Sequence, residues 1–254
     1  MKTVNYGFAF LSMAILVISC TKENSDNPTD DEPVNLYGNY LNYPEFVEDG
    51  LVAYFPLDGN CEDLSRNKNE GIINGVTFTA NRFNEAETAA HFDGDNDYFE
   101  ITGIEAYNNE EATICFWVKT DSMPENYNGV IYSRTTAQDT GIVISLSESY
   151  FIWFNCYADN ATSVTGCGFN NLKKENFGFV AMTYDKNFIT IYLNGRQMIT
   201  GYNYSCDNYQ QNIFIGKTLT NSDPYSFFHG EIDDILIYNR VLTSDEIKSL
   251  AEYQ

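Results

Sequence analysis

Oxygen-rich turns carry the most suggestive chemistry in this chain. Asp58-Gly59-Asn60 with Asp63 gathers carboxylate, amide and carbonyl oxygens in one turn, and Asp93-Gly94-Asp95 with Asp97 gathers more in a second. Asp233 and Asp234 stand side by side near the C-terminus. Calcium takes about six to eight hard oxygen ligands in loose geometry, which such turns can offer. Asp and Asn also cap turns by accepting from nearby backbone N–H groups, so a purely structural role stays open beside the metal one.

Nucleophilic and phosphate chemistry find no support. The two histidines, His91 and His229, lie away from any Ser or Cys nucleophile motif, so no Ser-His-Asp arrangement is expected. FPLDGN and HFDGDND contain glycine but lack the lysine and following helix of a phosphate loop. No Cys-x-x-Cys pair exists, which removes zinc-ribbon and thioredoxin readings.

Aromatic side chains offer a binding chemistry instead. Flat rings stack on the apolar faces of sugars, with amides and carboxylates supplying hydrogen bonds. Trp153 and Tyr157 fall on one face of a strand, Tyr202, Tyr204 and Tyr209 share the segment GYNYSCDNYQ, and Tyr225 precedes the last strand. Trp153, Tyr157, Tyr202, Tyr204 and Tyr225 are the candidate ligand contacts. Strands favour aromatics on packing grounds alone, and Trp117 is expected in the core.

These groups need strands to position them. Leu51 to Phe55 is the first strand, ended by Pro56. Gly71 to Thr79 reads as a short hairpin around Asn74-Gly75. Ala112 to Thr120 alternates, with Ile114, Phe116 and Val118 on one face and Cys115, Trp117 and Lys119 on the other. Arg196 to Thr200 follows Thr190 to Leu193 across Asn194-Gly195, and Glu231 to Tyr238 closes the set. About a dozen short strands, with turn signals every eight to twelve residues or so, predict an all-β, two-sheet antiparallel sandwich or barrel. A short C-terminal helix is predicted where Thr243 and Glu246 form a capping box ahead of Ile247, Leu250 and Ala251.

Composition bounds the partners. A formal charge of -22 opposes binding to nucleic acid or docking on anionic lipid. Phe8 to Ile18 is apolar but too short to span a bilayer, and reads as a signal peptide over residues 1–19. Val17-Ile18-Ser19-Cys20 resembles the bacterial lipoprotein signal, whose cysteine takes the lipid. Residues 20–48 then form a flexible acidic tether. Lys22, Glu23 and Asp26 resemble the surface-export signals of Bacteroidetes-type lipoproteins, which implies an outer-membrane, surface-exposed domain held to the membrane only by its lipid anchor. Export implies a compartment that permits disulfides. Cys156 and Cys167 close two strands joined by ADNATSVTG and are the expected cross-strand bridge, whereas Cys115 inside its strand is expected as a buried thiol.

AYFPLDGN, HFDGDNDYFEI, ATICFWVK, FVAMTYD with IYLNG, and GEIDDILIYNRVLTSDEI occur in this order. The series resembles the laminin-G-like jelly roll of the concanavalin A-like lectin/glucanase superfamily, over residues 49–254. That resemblance implies two antiparallel sheets with adjacent first and last strands. It also implies recognition without catalysis, commonly of glycans, with calcium frequent. Carried over, calcium ligands would be Asp58, Gly94 and Asp234, to which the first turn adds Asn60 and Asp63. The glucanase branch sets its acids on one strand as E-x-D-x-E or E-x-D-x-x-E. Glu231-Ile232-Asp233 begins that pattern, but Ile235 and Leu236 leave it without the second Glu. The expectation is therefore a non-catalytic carbohydrate-binding lipoprotein with a structural calcium. A module that binds a protein partner is the first alternative and a glycoside hydrolase the second.

Overall fold

The computed structural model describes residues 18–19, 45–104, 111–121, 128–135, 140–147, 151–158, 161–168, 176–185, 187–202, 212–218 and 226–252. Strands β1 (Ile18–Ser19), β2 (Leu51–Phe55), β3 (Glu70–Asn74), β4 (Thr77–Thr79), β5 (Ala89–Asp93) and β6 (Tyr98–Thr102) come first. Next are β7 (Ala112–Thr120), β8 (Asn128–Thr135), β9 (Thr140–Ser147), β10 (Phe151–Ala158), β11 (Ala161–Gly168) and β12 (Gly178–Tyr184). Strands β13 (Phe188–Leu193), β14 (Arg196–Tyr202), β15 (Ile213–Ile215), β16 (Lys217–Thr218), β17 (Ser226–Phe227) and β18 (His229–Tyr238) precede helix α1 (Ser244–Glu252).

Two antiparallel sheets form a jelly-roll sandwich. The first runs β1-β3-β6-β15-β8-β9-β10-β11, and the second β14-β13-β12-β7-β18-β5-β4. Strand β2 also pairs with β18, matching Phe55 to Ile235 and Leu51 to Tyr238, so the first and last long strands are neighbours as expected. The core between the sheets takes alternate residues from strands of both, including Ile114, Phe116 and Val118 with Phe99, Ile144 and Phe154. The other set on β7 and β12, Cys115, Trp117, Phe179 and Ala181, forms a second cluster on the outer face of the second sheet. Helix α1 covers that cluster with Ile247, Leu250 and Ala251. The predicted capping box is present: Thr243 N–H donates to Glu246 Oε2 at 2.6 Å, and Glu246 N–H donates to Thr243 Oγ1 at 3.3 Å.

Two expectations are corrected. Asn74-Gly75 does not join a hairpin. β3 pairs with β6 in one sheet and β4 with β5 in the other, so the turn carries the chain across the sandwich. Gly75, at φ +77°, leaves no room for a Cβ, which would overlap Asp97 Oδ1. Nor do Cys156 and Cys167 bridge. The β10–β11 register sets Cys167 opposite Ile152 and Cys156 opposite Ser163, too far along the ribbon for a bond. Cys167 is a free, buried thiol, as is Cys115. The Asn194-Gly195 hairpin forms as read, with both residues at positive φ.

Candidate functional site

The outer face of the second sheet carries charges in three tiers. Strands β5, β18 and β7 lie side by side, and period-two alternation sends His91, His229, Glu231, Asp233, Lys119 and Asp121 outward. The first tier is His91, His229 and Asp121. The second is Glu231 with Lys119, joined at 2.7 Å. The third is Asp233 and Asp234 with Arg82.

A β-bulge creates the third tier. On β18, Asp233 pairs with Trp117 and Leu236 with Cys115, so two residues face one on β7. Asp234 takes φ +48°, and consecutive aspartates point to the same face. Their side of β18 is also where β5, paired through Ile232, gives way to β2, paired from Ile235. Arg82 fills that gap, its side chain only 7% exposed. It meets Asp233 Oδ2 at 2.6 Å and Asp234 Oδ2 at 2.7 Å. Tyr54 Oη donates to Asp234 Oδ1 at 2.8 Å. Burial pushes the Asp233 carboxyl well up, and Asp234 beside it acts in the same direction.

Asp58 lies close enough to feel this cluster. Burial pushes its carboxyl up to about 6, helped by repulsion from Asp234 and Glu85 and opposed by Arg82. A carboxyl that is weaker in the folded than in the unfolded chain binds extra protons when folded, so stability falls as pH rises from about 4 to 6. Asp58→Asn should flatten that fall. It should raise the melting temperature at pH 7.5 and leave it unchanged at pH 4. After solvent screening the gain is about 1 kcal/mol. Melts of both proteins across this range are the check, and parallel curves would contradict it.

The five residues expected to hold calcium do not close into one shell. Asp63 is buried, and its carboxylate is already saturated. Oδ1 accepts from Tyr54 N–H and Ser65 N–H, while Oδ2 accepts from Ser65 Oγ, Asn69 N–H and Asn69 Nδ2. Asn60 closes its own turn, donating to Asp58 O and accepting from Glu62 N–H. Gly94 belongs to the first tier, where a Cβ would sit 2.8 Å from His229 Cβ. Asp58 and Asp234 do come near each other, but the Arg82 guanidinium already occupies the Asp234 carboxylate. An ion bound there would have to displace a buried cation, so this donor set does not fit calcium.

Beside Arg82 opens a cavity of about 480 Å³, lined by Thr79, Asn81, Phe83, Trp117, Lys119 and Phe177 among others. Arg82 is layered between rings, 4.3 Å from the Phe83 centroid and 4.7 Å from that of Trp117. Phe83 is 37% exposed. Trp117 packs at 5.3 Å on Phe179, so it is buried as expected, yet outside the inter-sheet core and at a cavity wall. Sequence reasoning missed Arg82, Phe83 and Phe177. Of these, only Arg82 had a sequence signal: the Asp233-Asp234 doublet breaks the alternation of β18 and calls for a cation. Glu231 and Asp233, the start of the glucanase-like pattern, are each held by a cation, Lys119 and Arg82.

The aromatics expected to bind ligand lie elsewhere. Trp153 is on the outer face of the first sheet, laid over its register partner Gly166, where a Cβ would come within 2.4 Å of the ring. Tyr202 is 68% exposed at the end of β14, with its ring 5.7 Å from that of Phe188. The Tyr157 side chain, Tyr204, Tyr209 and Tyr225 fall outside the described residues, as does Cys20.

Two sheets in jelly-roll order, with an aromatic-walled cavity on one outer face, define a lectin-like sandwich fold. Residues 93–248 match the family described as the concanavalin A-like lectin/glucanases superfamily, and the chain belongs to it. No curated protein matches the chain. Among solved structures, it is similar to the receptor-binding domain of botulinum neurotoxin C/D mosaic serotype, with TM-score 0.66 and 15% identity over 82% of this chain and 52% of that one. It is also similar to the binding domain of botulinum neurotoxin DC in complex with rat synaptotagmin II, with TM-score 0.63 and 18% identity. The same binding domain in complex with SialylT gives TM-score 0.63 and 17% identity. The latter two cover 82% of this chain and 52% of theirs, so the chain spans about half the length of these structures. At such identity the likeness concerns the fold.

Proposed function

We propose that this protein is a surface lipoprotein, anchored through Cys20, whose sandwich binds carbohydrate without catalysis at the cavity beside Trp117. The observation that carries the reading is the composition of that cavity. Phe83 and Phe177 offer rings for stacking, Asn84 and Asn176 offer amides, and Lys119 adds a cation. The toxin binding domain solved with SialylT and the family's lectin members support a sugar as the occupant. Cleavage ahead of Cys20 would remove Ile18–Ser19 and leave β3 as the edge of the first sheet.

A glycan array followed by affinity gels tests this. A polysaccharide that binds the domain should bind Phe83→Ala about 3- to 10-fold more weakly, the worth of one stacked ring, with little loss of stability. No ligand on any neutral or acidic glycan, or binding indifferent to Phe83→Ala, would refute the assignment. A protein partner is the second reading. It is favoured by Phe188, Met198, Ile199 and Tyr202, all exposed on the β13–β14 hairpin.

A further inference from the structure

The first tier of the outer face has a chemistry of its own. The chain has two histidines, and the fold brings both to one carboxylate. His91 on β5 and His229 on β18 are diagonal neighbours, since His229 pairs with Asp93 and Glu231 with His91. Asp121 follows β7 directly, and its N–H donates to His229 O. Three adjacent strands thus aim three metal-ligating side chains at one point.

The distances suit a transition-metal ion. Asp121 Oδ2 is 3.2 Å from His91 Nε2 and 3.6 Å from His229 Nε2. One ligand atom from each of the three residues can be chosen so that all lie within 4.8 Å of one another. Bonds of about 2.05 Å in a tetrahedron set donor atoms about 3.3 Å apart, so the two measured gaps already bracket a zinc edge. The rings meet nearly at right angles, at 83°, with centroids 6.2 Å apart, so neither ring stacks over the other's donor edge. Gly94 makes the approach feasible, because any Cβ there would press on His229. Asp93, across from His229, adds negative charge nearby.

We propose that His91, Asp121 and His229 form a binding site for a first-row divalent transition-metal ion, with zinc the best match. Two imidazoles and one carboxylate are borderline donors that suit zinc, copper or nickel and are a poor set for calcium. Three protein ligands leave one tetrahedral position for water or an external donor. The three side chains are 30–39% exposed, so that position opens to solvent. It lies on the cavity's face of the sheet, two residues beyond Lys119 along β7, or about 7 Å.

The full chain, carrying a histidine-free affinity tag and stripped with chelator, is titrated with zinc chloride against a chromophoric competitor. Long-range proton–nitrogen spectra of the two imidazoles are recorded in parallel. One equivalent should bind, shifting both rings together, and excess calcium should not displace it. His91→Gln and His229→Gln should each weaken binding by more than about 100-fold, beyond the 10- to 100-fold that loss of an outer partner costs. Unchanged affinity in the double variant would overturn the proposal. So would zinc saturation with both rings unmoved, which would assign the ion to the acidic turns; this second readout uses the unaltered chain and needs no variant to fold.

Discussion

Arg82→Met should destabilise the domain by about 3–5 kcal/mol at neutral pH, the usual result of stranding buried charge. Methionine keeps the apolar stem between Phe83 and Trp117 but removes the cation that Asp233 and Asp234 share. Two carboxylates would then share a buried pocket without the Arg82 charge, and Asp58 would add to the repulsion. The proton affinity of Asp233, already raised by burial, would rise further. Stability of the variant should therefore fall more steeply with rising pH than that of the parent, and recover in acid. Adding Asp233→Asn to Arg82→Met should restore part of the loss, because the two sites act as one network. Urea unfolding at pH 5 and 7.5 measures both effects. An Arg82→Met protein as stable as its parent at pH 7.5 would show that the cluster does not hold this end of the sandwich.

Asp63→Asn should lower the melting temperature by about 6–12 °C, although the two side chains have the same shape. For a domain of this size that corresponds to about 3 kcal/mol. Asp63 accepts five hydrogen bonds, and three come from backbone N–H groups that cannot turn round. An amide satisfies one side of this cage. Its NH₂ then faces either Asn69 N–H and Asn69 Nδ2 or Tyr54 N–H and Ser65 N–H, donor against donor. The same Asp-to-Asn change at Asp58 is expected to be mildly stabilising. Opposite signs at two acids of one turn would separate a carboxylate that builds the fold from one that burdens it, and melting curves of the two variants decide this directly.

Much of the architecture was legible because alternation in β7, β18 and β12 is strong and the capping box at Thr243 is local. The pairing of β2 with β18 came from resemblance, since no local rule links Tyr54 to Leu236. The Asn74-Gly75 turn misled because a hairpin and a sheet-to-sheet crossing use the same dipeptide, and only the partners of β3 and β4 tell them apart. Asp63 and Asp58 look alike in sequence, yet one is enclosed by N–H donors and the other is pressed by acids, a difference set by residues from 54 to 234. Arg82 and the histidine pair depend on contacts over more than a hundred positions. The cavity was missed because its rings sit at the end of a turn and beside a strand start, not in the Tyr-rich segments that drew attention.

The pairing of β2 with β18 has a mechanical side. Chain ahead of Leu51 leaves next to Tyr238, while the cavity lies toward the opposite end, past Phe55 and Ile235. With the proposed anchor at Cys20 and the proposed ligand at the cavity, tension between them would run along β2. The four matched positions from Leu51 to Phe55 resist such a pull together, in shear, instead of parting one after another like a zip.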